Sequence, residues 1–312
     1  MELSGQRVLV TGGTGFLGRH LTRELAAAGV DAISVGRADG DLRRASIVSD
    51  LLDRTRPDAV VHLAAVVGGI GANRRQPGRF FYDNAVMGIE VLEACRLHDV
   101  DKVLVVGTAC SYPGSAPTPT CETHMWDGYP EDTNAPYGLA KRMLLVQAQA
   151  YRQEYGCNII YLIPTNLYGP GDNFDLETGH VIPGLIRRFC EARDAGRPEV
   201  VLWGDGSPTR DFLHVSDAAR ACQLALSAYD GAEPVNVSSG SEISISALAD
   251  LLASMTRFPG AIRWDASQPN GQRRRQLDPN RAREAFGFTA TVGLEQGLSD
   301  LVAWYERRSD RL

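Results

Sequence analysis

A tyrosine and a lysine lie four residues apart in the segment "APYGLAKR", at Tyr137 and Lys141. Residues with this spacing share one face of a helix, so the two side chains can meet. Tyrosine ordinarily titrates at about 10, and a neighbouring ammonium favours the phenolate. We therefore expect a lowered pKa for Tyr137, which would suit it for acid or base chemistry near neutral pH. Thr108, at the end of the apolar run "VLVVGT", adds a hydroxyl that could polarise a substrate oxygen.

Glycines recur at three-residue intervals in "TGGTGFLG", at Gly12, Gly15 and Gly18. The segment follows the apolar run "RVLV" and precedes the amphipathic pattern "GRHLTRELAAAG". Glycines at such a turn let the backbone approach a pyrophosphate at a helix N-terminus, where free N–H groups and the helix dipole favour anions. The order of strand, glycines and helix therefore predicts a site for a dinucleotide cofactor.

The end of the second apolar run, "DAISVGR", bears on which dinucleotide binds. This run ends in Arg37, and a basic residue at that place accommodates the 2′-phosphate of NADP. The alternative is that Arg37 is a solvated loop residue and that Asp39 or Asp41 binds the ribose of NAD. We expect NADP.

The elements that must position these residues alternate between strand and helix patterns in the first half of the chain. Nearly continuous apolar runs suit parallel strands that are buried on both faces; they are "RVLVTGG", "DAISVGR", "AVVHLAA", "KVLVVGT" and "NIIYLIPTN". Helical segments such as "NAVMGIEVLEACRLHDV" lie between them. The pattern predicts an α/β fold with a doubly wound parallel sheet of the Rossmann type and a smaller C-terminal domain.

The pattern becomes irregular after about residue 164. We predict an NADP-binding domain over residues 1–165, with its sheet completed by about 205–238, and a second domain over 166–204 and 239–312. "NLYGPGDNFDLETGH" is expected to be a long loop, and "PVNVSSG" a sixth strand of the sheet. In "DFLHVSDAARACQLAL" we expect a helix capped by Ser216 or Asp217.

Composition excludes several classes of protein. The chain has 312 residues, 44% hydrophobic and 22% charged. A net charge of −6 and a pI near 5.6 argue against a nucleic-acid partner, which would require a basic face. No apolar run approaches the roughly 20 residues of a membrane span, and the first residues lack an apolar signal core, so a cytoplasmic protein is expected. The six cysteines form no C-x-x-C pair, which predicts neither a metal site nor a disulfide framework.

Longer segments carry a family resemblance. They are "VVGGIGAN" at 66–73, "GTACSYP" at 107–113, "TNAPYGLAK" at 133–141, "PTNLYGPGDNFD" at 164–175, "GHVIPGLIRRF" at 179–189, "LWGDGSPTRDFLHVSD" at 202–217 and "WDASQPNGQRRRQLD" at 264–278. With these segments the chain resembles the extended short-chain dehydrogenase/reductase superfamily and, within it, the GDP-L-fucose synthase family. The resemblance covers nearly the whole chain.

The resemblance implies roles for particular residues. Thr108, Tyr137 and Lys141 match the catalytic triad of the superfamily, and Cys110 and His180 match the acid–base pair that the family uses for epimerisation. Arg188 and Arg210 match basic residues near the diphosphate or the sugar, and Asn166 and Trp203 match positions of the substrate pocket. The expected cofactor contacts are Gly12, Thr14, Gly15, Phe16, Leu17, Gly18, Arg37, Asp41, Leu42, Ala64, Ala65, Lys141, Pro164, Asn166, Leu167 and His180.

The implied activity is NADPH-dependent 3,5-epimerisation and 4-reduction of a GDP-4-keto-6-deoxy-hexose, giving a GDP-6-deoxy-L-hexose such as GDP-L-fucose. A 4-keto group acidifies the hydrogens at C3 and C5. Cysteine and histidine ordinarily titrate at about 8.5 and about 6.5, which suits them for moving such protons. The resemblance also implies that the second domain binds the nucleotide sugar and that the enzyme is a homodimer formed through helices flanking the Tyr–Lys segment.

The sequence departs from the family at three places and leaves alternatives open. Thr108 and Ala109 stand where the family usually has serines, and the glycine loop lacks a basic residue often found there. A sugar dehydratase is disfavoured because Ala109 and Cys110 occupy the positions of its acidic pair. A redox-neutral epimerase of a hexose or heptose nucleotide, acting at C3/C5 or C4, is one alternative; a non-enzymatic NADP-binding sensor is another.

Without the resemblance, Cys110 would be interpreted as a buried thiol. The histidines expected to be structural are His20, His62, His98, His124 and His214.

Overall fold

Residues 1–268 and 270–309 are described by the structure, a computed structural model. The strands, in chain order, are β1 Arg7–Thr11, β2 Asp31–Val35, β3 Ala59–His62, β4 Lys102–Val106, β5 Ile159–Pro164, β6 Asn166–Tyr168, β7 Glu199–Trp203, β8 Thr209–His214, β9 Val235–Val237, β10 Glu242–Ser244, β11 Ala261–Asp265 and β12 Arg274–Arg275. The α-helices are α1 Phe16–Ala27, α2 Ala45–Thr55, α3 Ile70–Arg75, α4 Pro77–Leu97, α5 Ala135–Tyr155, α6 Val181–Asp194, α7 Val215–Ala228, α8 Ile245–Met255, α9 Asn280–Phe286 and α10 Leu294–Ser309. Short 3-10 helices cover Arg37–Asp39, Ala109–Ser111 and Glu122–Trp126.

Six parallel strands form the central sheet in the order β2-β1-β3-β4-β5-β9. The apolar runs form its middle because their side chains are buried on both faces, as every residue of β4 is. The strand order reverses between β1 and β3, and ligands of doubly wound sheets bind at such a switch point, outside the carboxyl ends of the strands. The prediction of a Rossmann-type α/β fold is confirmed.

Helices cover both faces of this sheet. On one face, buried residues of α1 and α7 pack with those of β1, β3 and β4, including Leu21, Leu25 and Leu226. On the other face, α2, α4 and α5 contribute buried leucines such as Leu52, Leu92 and Leu144. The three layers hold the ends of β1, β4 and β5 in fixed relation to the first turns of α1 and α5.

The second half of the chain builds a smaller structure beside the carboxyl ends of the sheet. Strands β10, β8 and β12 lie side by side, β6 pairs with β8, and β7 pairs with β11. A third apolar cluster joins α6, α8 and α10 to these strands. The segment "PVNVSSG" contributes β9 as the sixth strand of the central sheet, as expected. The domain boundaries given above stay a prediction.

Three local expectations were wrong. The segment "DFLHV" is largely strand β8, so the following helix begins at Val215 and its cap is His214 rather than Ser216 or Asp217. The His214 ring accepts the Ser216 N–H at 3.3 Å. The expected long loop begins with a short strand, β6, and the second strand ends at Val35, two residues before Arg37. Within the described residues, no helix is long and apolar enough to cross a bilayer, and no cluster of histidine, cysteine or carboxylate side chains could hold a metal ion.

Candidate active site

A cavity of about 1930 Å³ runs along the carboxyl ends of the central strands and continues against the smaller second part of the chain. Every residue predicted above for cofactor binding, catalysis or substrate binding lines it. The structure therefore brings together residues from both halves of the sequence, from Gly12 to Arg210, at the switch point of the sheet.

The glycine loop forms a close turn between β1 and α1. Gly12 has φ of 72°, and a Cβ there would lie 2.8 Å from the Ala64 nitrogen. A Cβ at Gly18 would clash with the Gly12 carbonyl. No side chain caps α1 at Gly15, and its first turn holds no acidic residue. The first N–H groups of α1 are thus open to an anion, which fits the pyrophosphate of a dinucleotide.

Arg37 lies at the start of the 3-10 helix that follows β2, on the cavity wall. Within residues 1–268 and 270–309, its guanidinium makes no hydrogen bond or ion pair. The acidic residues nearby are engaged: Asp39 accepts the Gly36 N–H at 2.8 Å, and Asp41 pairs with Arg43 at 2.8 Å. The hydrogen bond from Arg43 lowers the pKa of Asp41 to about 2. The arrangement fits a phosphate at Arg37 better than a ribose hydroxyl at either carboxylate.

Tyr137 and Lys141 project from the first turns of α5, whose N-terminus faces the end of β4. Lys141 is buried and donates to the Val106 carbonyl at 3.0 Å, and burial lowers its pKa to about 8. The expected pKa shift of Tyr137 was wrong in sign. Burial raises that pKa, and a hydrogen bond with Thr108 offsets only part of the rise. Tyr137 therefore keeps its proton near neutral pH and is a hydrogen-bond donor.

The turn after β4 packs closely on α5 and is hydrogen-bonded to it. The Ser111 hydroxyl donates to the Gly138 carbonyl at 2.9 Å, and a Cβ at Gly138 would clash with the Cys110 carbonyl. Arg142, on the same helix, donates from Nε to the Ser111 carbonyl at 2.9 Å. Because the turn and the helix touch backbone to backbone, Cys110 and Tyr137 are held at fixed relative positions.

Cys110 faces an arginine that the sequence analysis did not single out. Arg275 Nη1 donates to the Cys110 sulfur at 3.4 Å. Arg275 belongs to β12, which pairs with β8 so that it stands opposite Arg210. Burial and then repulsion from Arg275 lower the pKa of Arg210 to about 10. Two adjacent guanidiniums make this part of the cavity a place for negative charge.

His180 stands at the N-cap of α6, beside a carboxylate that was also missed. Its Nδ1 lies 3.5 Å from Oδ1 of Asp172. This hydrogen bond raises the pKa of His180, while burial acts in the opposite direction. Asp172 lies within the quoted segment "PTNLYGPGDNFD", but nothing in its spacing indicates a contact with His180.

The residues assigned to the substrate lie farther along the same cavity. Arg188 is on α6, and Trp203, at the end of β7, exposes its ring at the cavity wall. The Asn166 amide donates to the Asp211 carbonyl at 2.9 Å, which fixes that side chain. The five other histidines, all in the described part of the chain, lie outside the lining; they are His20, His62, His98, His124 and His214.

Comparison with known proteins places the chain in a family. Residues 8–238 match the NAD dependent epimerase/dehydratase family. The chain belongs to this family. It is 39% identical to GDP-L-fucose synthase 1 of Arabidopsis thaliana over 306 residues, covering 98% of this chain and 94% of that protein. It is 36% identical to GDP-L-fucose synthase of Escherichia coli K12 over 319 residues, covering 99% of each.

A solved structure shows the same architecture. The GDP-L-fucose synthetase of Naegleria fowleri bound to NADP has a TM-score of 0.89 and 30% identity to this chain, and the match covers 99% of this chain and 96% of that one. The resemblance deduced from the sequence motifs is confirmed by these relatives.

Proposed function

We propose that this chain uses NADPH to convert a GDP-4-keto-6-deoxy-hexose to a GDP-6-deoxy-L-hexose such as GDP-L-fucose, by epimerisation at C3 and C5 and reduction at C4. The observation that carries the proposal is that Cys110 and His180 line the same cavity as Tyr137, Lys141 and the glycine loop. Similarity to GDP-L-fucose synthases over almost the full length supports the same activity.

The cofactor would lie along the first part of the cavity. The N–H groups at the start of α1 would hold its pyrophosphate, and Arg37 would contact the 2′-phosphate of the adenosine ribose. When bound, NADPH supplies the hydride that reduces the 4-ketone. The protein supplies the proton donors and the fixed geometry.

Epimerisation needs one group to remove a proton beside the ketone and another to return one to the opposite face. Cys110 acts as the base, and its sulfur is held by the hydrogen bond from the Arg275 guanidinium. The raised pKa of His180 favours its protonated form, so His180 acts as the acid. Tyr137 donates a hydrogen bond to O4 and so stabilises the enolate between the two transfers.

Reduction uses the hydroxyl groups at the end of β4 and the start of α5. Because burial raises the pKa of Tyr137, its phenol carries a proton that can pass to O4 when the ketone is reduced. The Thr108 hydroxyl, which hydrogen-bonds Tyr137, orients that phenol. Lys141 has a pKa of about 8 and is largely charged at neutral pH, so it stabilises the phenolate left by the transfer.

The nucleotide part of the substrate would extend toward the second part of the chain. Arg188 and Arg210 present guanidiniums to the cavity, and such planar forks bind diphosphate oxygens in pairs. Trp203 offers an exposed ring for a base or a sugar to pack against. Asn166, fixed through its amide to Asp211, retains its carbonyl oxygen as an acceptor for a sugar hydroxyl.

The test is to incubate the protein with GDP-4-keto-6-deoxy-mannose and NADPH in deuterated water. We expect NADPH absorbance to fall and NMR of the product to show a GDP-6-deoxy-L-hexose with deuterium at C3 and C5. The same assay is run with a panel of other nucleotide sugars, including heptose nucleotides. Turnover of one of those, with no oxidation of NADPH on the GDP substrate, would contradict the proposal.

The same assay separates the two alternatives. A redox-neutral epimerase would incorporate deuterium without consuming NADPH. A sensor would bind NADPH, measured by quenching of protein fluorescence, yet neither consume it nor exchange any sugar hydrogen.

The quaternary structure we propose is a homodimer formed through α4 and α5. These helices pack on each other and leave Phe81, Ile89 and Val146 exposed. Apolar side chains on neighbouring helices form a surface suited to a second copy of the chain. Sedimentation velocity should give about twice the mass of 33.8 kDa. Val146→Asp should shift the protein toward monomer, and a monomer in the wild type would exclude this interface.

We also propose that the enzyme works in the cytoplasm. All six cysteines are free thiols, which suits a reducing compartment. Cell fractionation with a tagged full-length protein would test this; recovery in a membrane or secreted fraction would contradict it.

A further inference from the structure

The Asp172 carboxyl is buried beside His180, which lines the cavity. Its side chain is only 2% exposed, whereas that of the adjacent His180 is 48% exposed. Oδ1 accepts the Asn173 N–H at 2.7 Å and lies 3.5 Å from Nδ1 of His180. Oδ2 is buried and has no hydrogen-bond partner within the described residues. An unpaired buried carboxylate oxygen is costly, so its presence calls for a functional reason.

The backbone that carries Asp172 is anchored to the cofactor-binding half. The Asp172 N–H donates to the Gly169 carbonyl at 3.2 Å. One residue after that glycine, the Pro170 carbonyl contacts Nε2 of His20 at 2.9 Å. His20 belongs to α1, so these contacts tie the turn that carries Asp172 to the helix that begins at the glycine loop.

The seven residues between Asp172 and His180 form a closed turn. The Asp175 carboxylate accepts the Thr178 N–H at 2.8 Å, and the Gly179 N–H donates to the Asp175 carbonyl at 2.8 Å. A Cβ at Gly179 would clash with the carbonyls of this turn. Because both ends of the segment are fixed, the approach of Asp172 to His180 is built into the loop rather than left to a flexible side chain.

Few other charges act on His180. Two other carboxylates lie in the loop, and both have partners. Asp175 accepts the Thr178 N–H and hydroxyl at 2.8 Å, and Glu177 pairs with Arg75 of α3 at 3.5 Å. Along α6 itself, Arg188 lines the cavity two turns on, and across the cavity stand Lys141 and Tyr137. Of these groups, Asp172 accounts for the raised pKa of His180.

We propose that Asp172 is the positioning residue of His180: its carboxylate accepts the Nδ1 hydrogen, which leaves Nε2 as the nitrogen that exchanges a proton with the sugar. The free acceptor capacity at Oδ2 lets the carboxylate keep this hydrogen bond while the ring turns toward the substrate. The catalytic part of this inference rests on the proposed epimerase function; the coupling between Asp172 and His180 does not.

Every proton and electron pair in the epimerisation step is accounted for. Cys110 sulfur takes the proton from the carbon beside the ketone, and the electron pair of that C–H bond becomes the enolate. The enolate pair then forms a new C–H bond with the proton from Nε2 of His180. The imidazole left behind is neutral and keeps its Nδ1 hydrogen on Asp172. Water reprotonates Nε2 and removes the proton from Cys110, so no further reactant is consumed.

The first experiment needs no substrate. The titration of His180 is followed by NMR of the histidine ring C–H signals in the wild type, Asp172→Asn and Glu177→Gln, with His180→Asn identifying the signal. In the wild type the pKa of His180 should lie above its ordinary value of 6.5. In Asp172→Asn it should fall by about one unit or more, because an opposite charge at hydrogen-bond distance is lost. Glu177→Gln, the matched control in the same loop, should leave it unchanged.

The second experiment measures deuterium incorporation into the substrate against pH. Loss of Asp172 lowers the pH at which His180 loses its proton, so the decline of exchange at high pH should begin at lower pH in Asp172→Asn. Exchange should fall about tenfold at neutral pH and recover on acidification, which a merely structural defect would not allow. Asp172→Glu, which retains the charge, should restore part of the rate.

Three results would overturn the inference. They are a wild-type His180 pKa at or below 6.5, a pKa unchanged in Asp172→Asn, and a uniform loss of exchange at every pH. The first needs only the wild type, so the inference remains testable even if Asp172→Asn does not fold. Failure of the proposed function would appear differently, as an absence of turnover in the wild type with the expected NMR titration intact.

Discussion

Arg275 Nη1 lies 3.4 Å from the sulfur of Cys110, although 165 residues separate them in the chain. The contact exists because β12 lies parallel to β8 and brings Arg275 opposite Arg210, while the turn after β4 brings Cys110 to the same wall. It gives the thiol a cationic neighbour. The two members of the acid–base pair thus have neighbours of opposite charge, a guanidinium for the sulfur and a carboxylate for the imidazole.

The first prediction concerns this contact. Arg275→Gln should lower the reactivity of Cys110 toward iodoacetamide about tenfold near neutral pH, because the sulfur loses its contact with a guanidinium. The measurement is the rate of alkylation at Cys110, followed by peptide mass spectrometry with Cys110→Ser as the blank.

Arg274→Gln is the matched control for that experiment. Arg274 is the preceding residue of the same strand, but it pairs with Glu242 on β10 rather than with Cys110. Its replacement should leave the alkylation rate unchanged. Equal losses in both variants would mean that general positive charge, and not the Arg275 contact, activates the thiol.

The second prediction separates epimerisation from reduction. Cys110→Ser should slow deuterium incorporation at C3 and C5 by about a hundredfold or more, because a serine hydroxyl is a far weaker acid than a thiol and does not ionise near neutral pH. Reduction of a 4-keto substrate that needs no epimerisation should be slowed much less. The two rates are measured by NMR in deuterated water and by NADPH absorbance. A similar loss of both would contradict the role of Cys110 as the base.

Much of this site follows from the sequence, and the exceptions have physical reasons. The Tyr137–Lys141 spacing and the glycine loop are local patterns, and the apolar runs determine the sheet that places them together. The sequence did not indicate Asp172 or Arg275. Asp172 meets His180 across a turn and Arg275 meets Cys110 from another strand, and no sequence periodicity links either pair. The sign of the Tyr137 pKa shift depends on how deeply the phenol is buried. The spacing of two residues in the sequence gives no information about that burial. The misplaced cap of α7 arose because strand β8 ends at His214 and the helix begins at the next residue, with no turn residues between them.

The third prediction concerns the proton donor for O4. Tyr137→Phe removes the phenolic proton but keeps the ring, which packs edge-on against Phe80 at 6.3 Å between centroids. Ketone reduction should fall by about a hundredfold or more, the usual contribution of a positioned general acid. Deuterium exchange should be affected less, since Cys110 and His180 carry out the proton transfers at carbon. Near-normal oxidation of NADPH in this variant would refute the assignment.

The fourth prediction concerns cofactor choice. Arg37→Ala should weaken NADPH binding about tenfold or more, because a guanidinium facing a phosphate is lost, and should change NADH binding little. Arg44→Ala is the control, since Arg44 is an exposed arginine close by that does not line the cavity. Dissociation constants for both cofactors are measured by fluorescence titration at two salt concentrations. If Arg37→Ala and Arg44→Ala weaken NADPH binding equally, the effect is that of overall charge, and Arg37 does not select NADP. If Arg37→Ala instead weakens NADH binding as much as NADPH binding, Arg37 supports the loop rather than the 2′-phosphate.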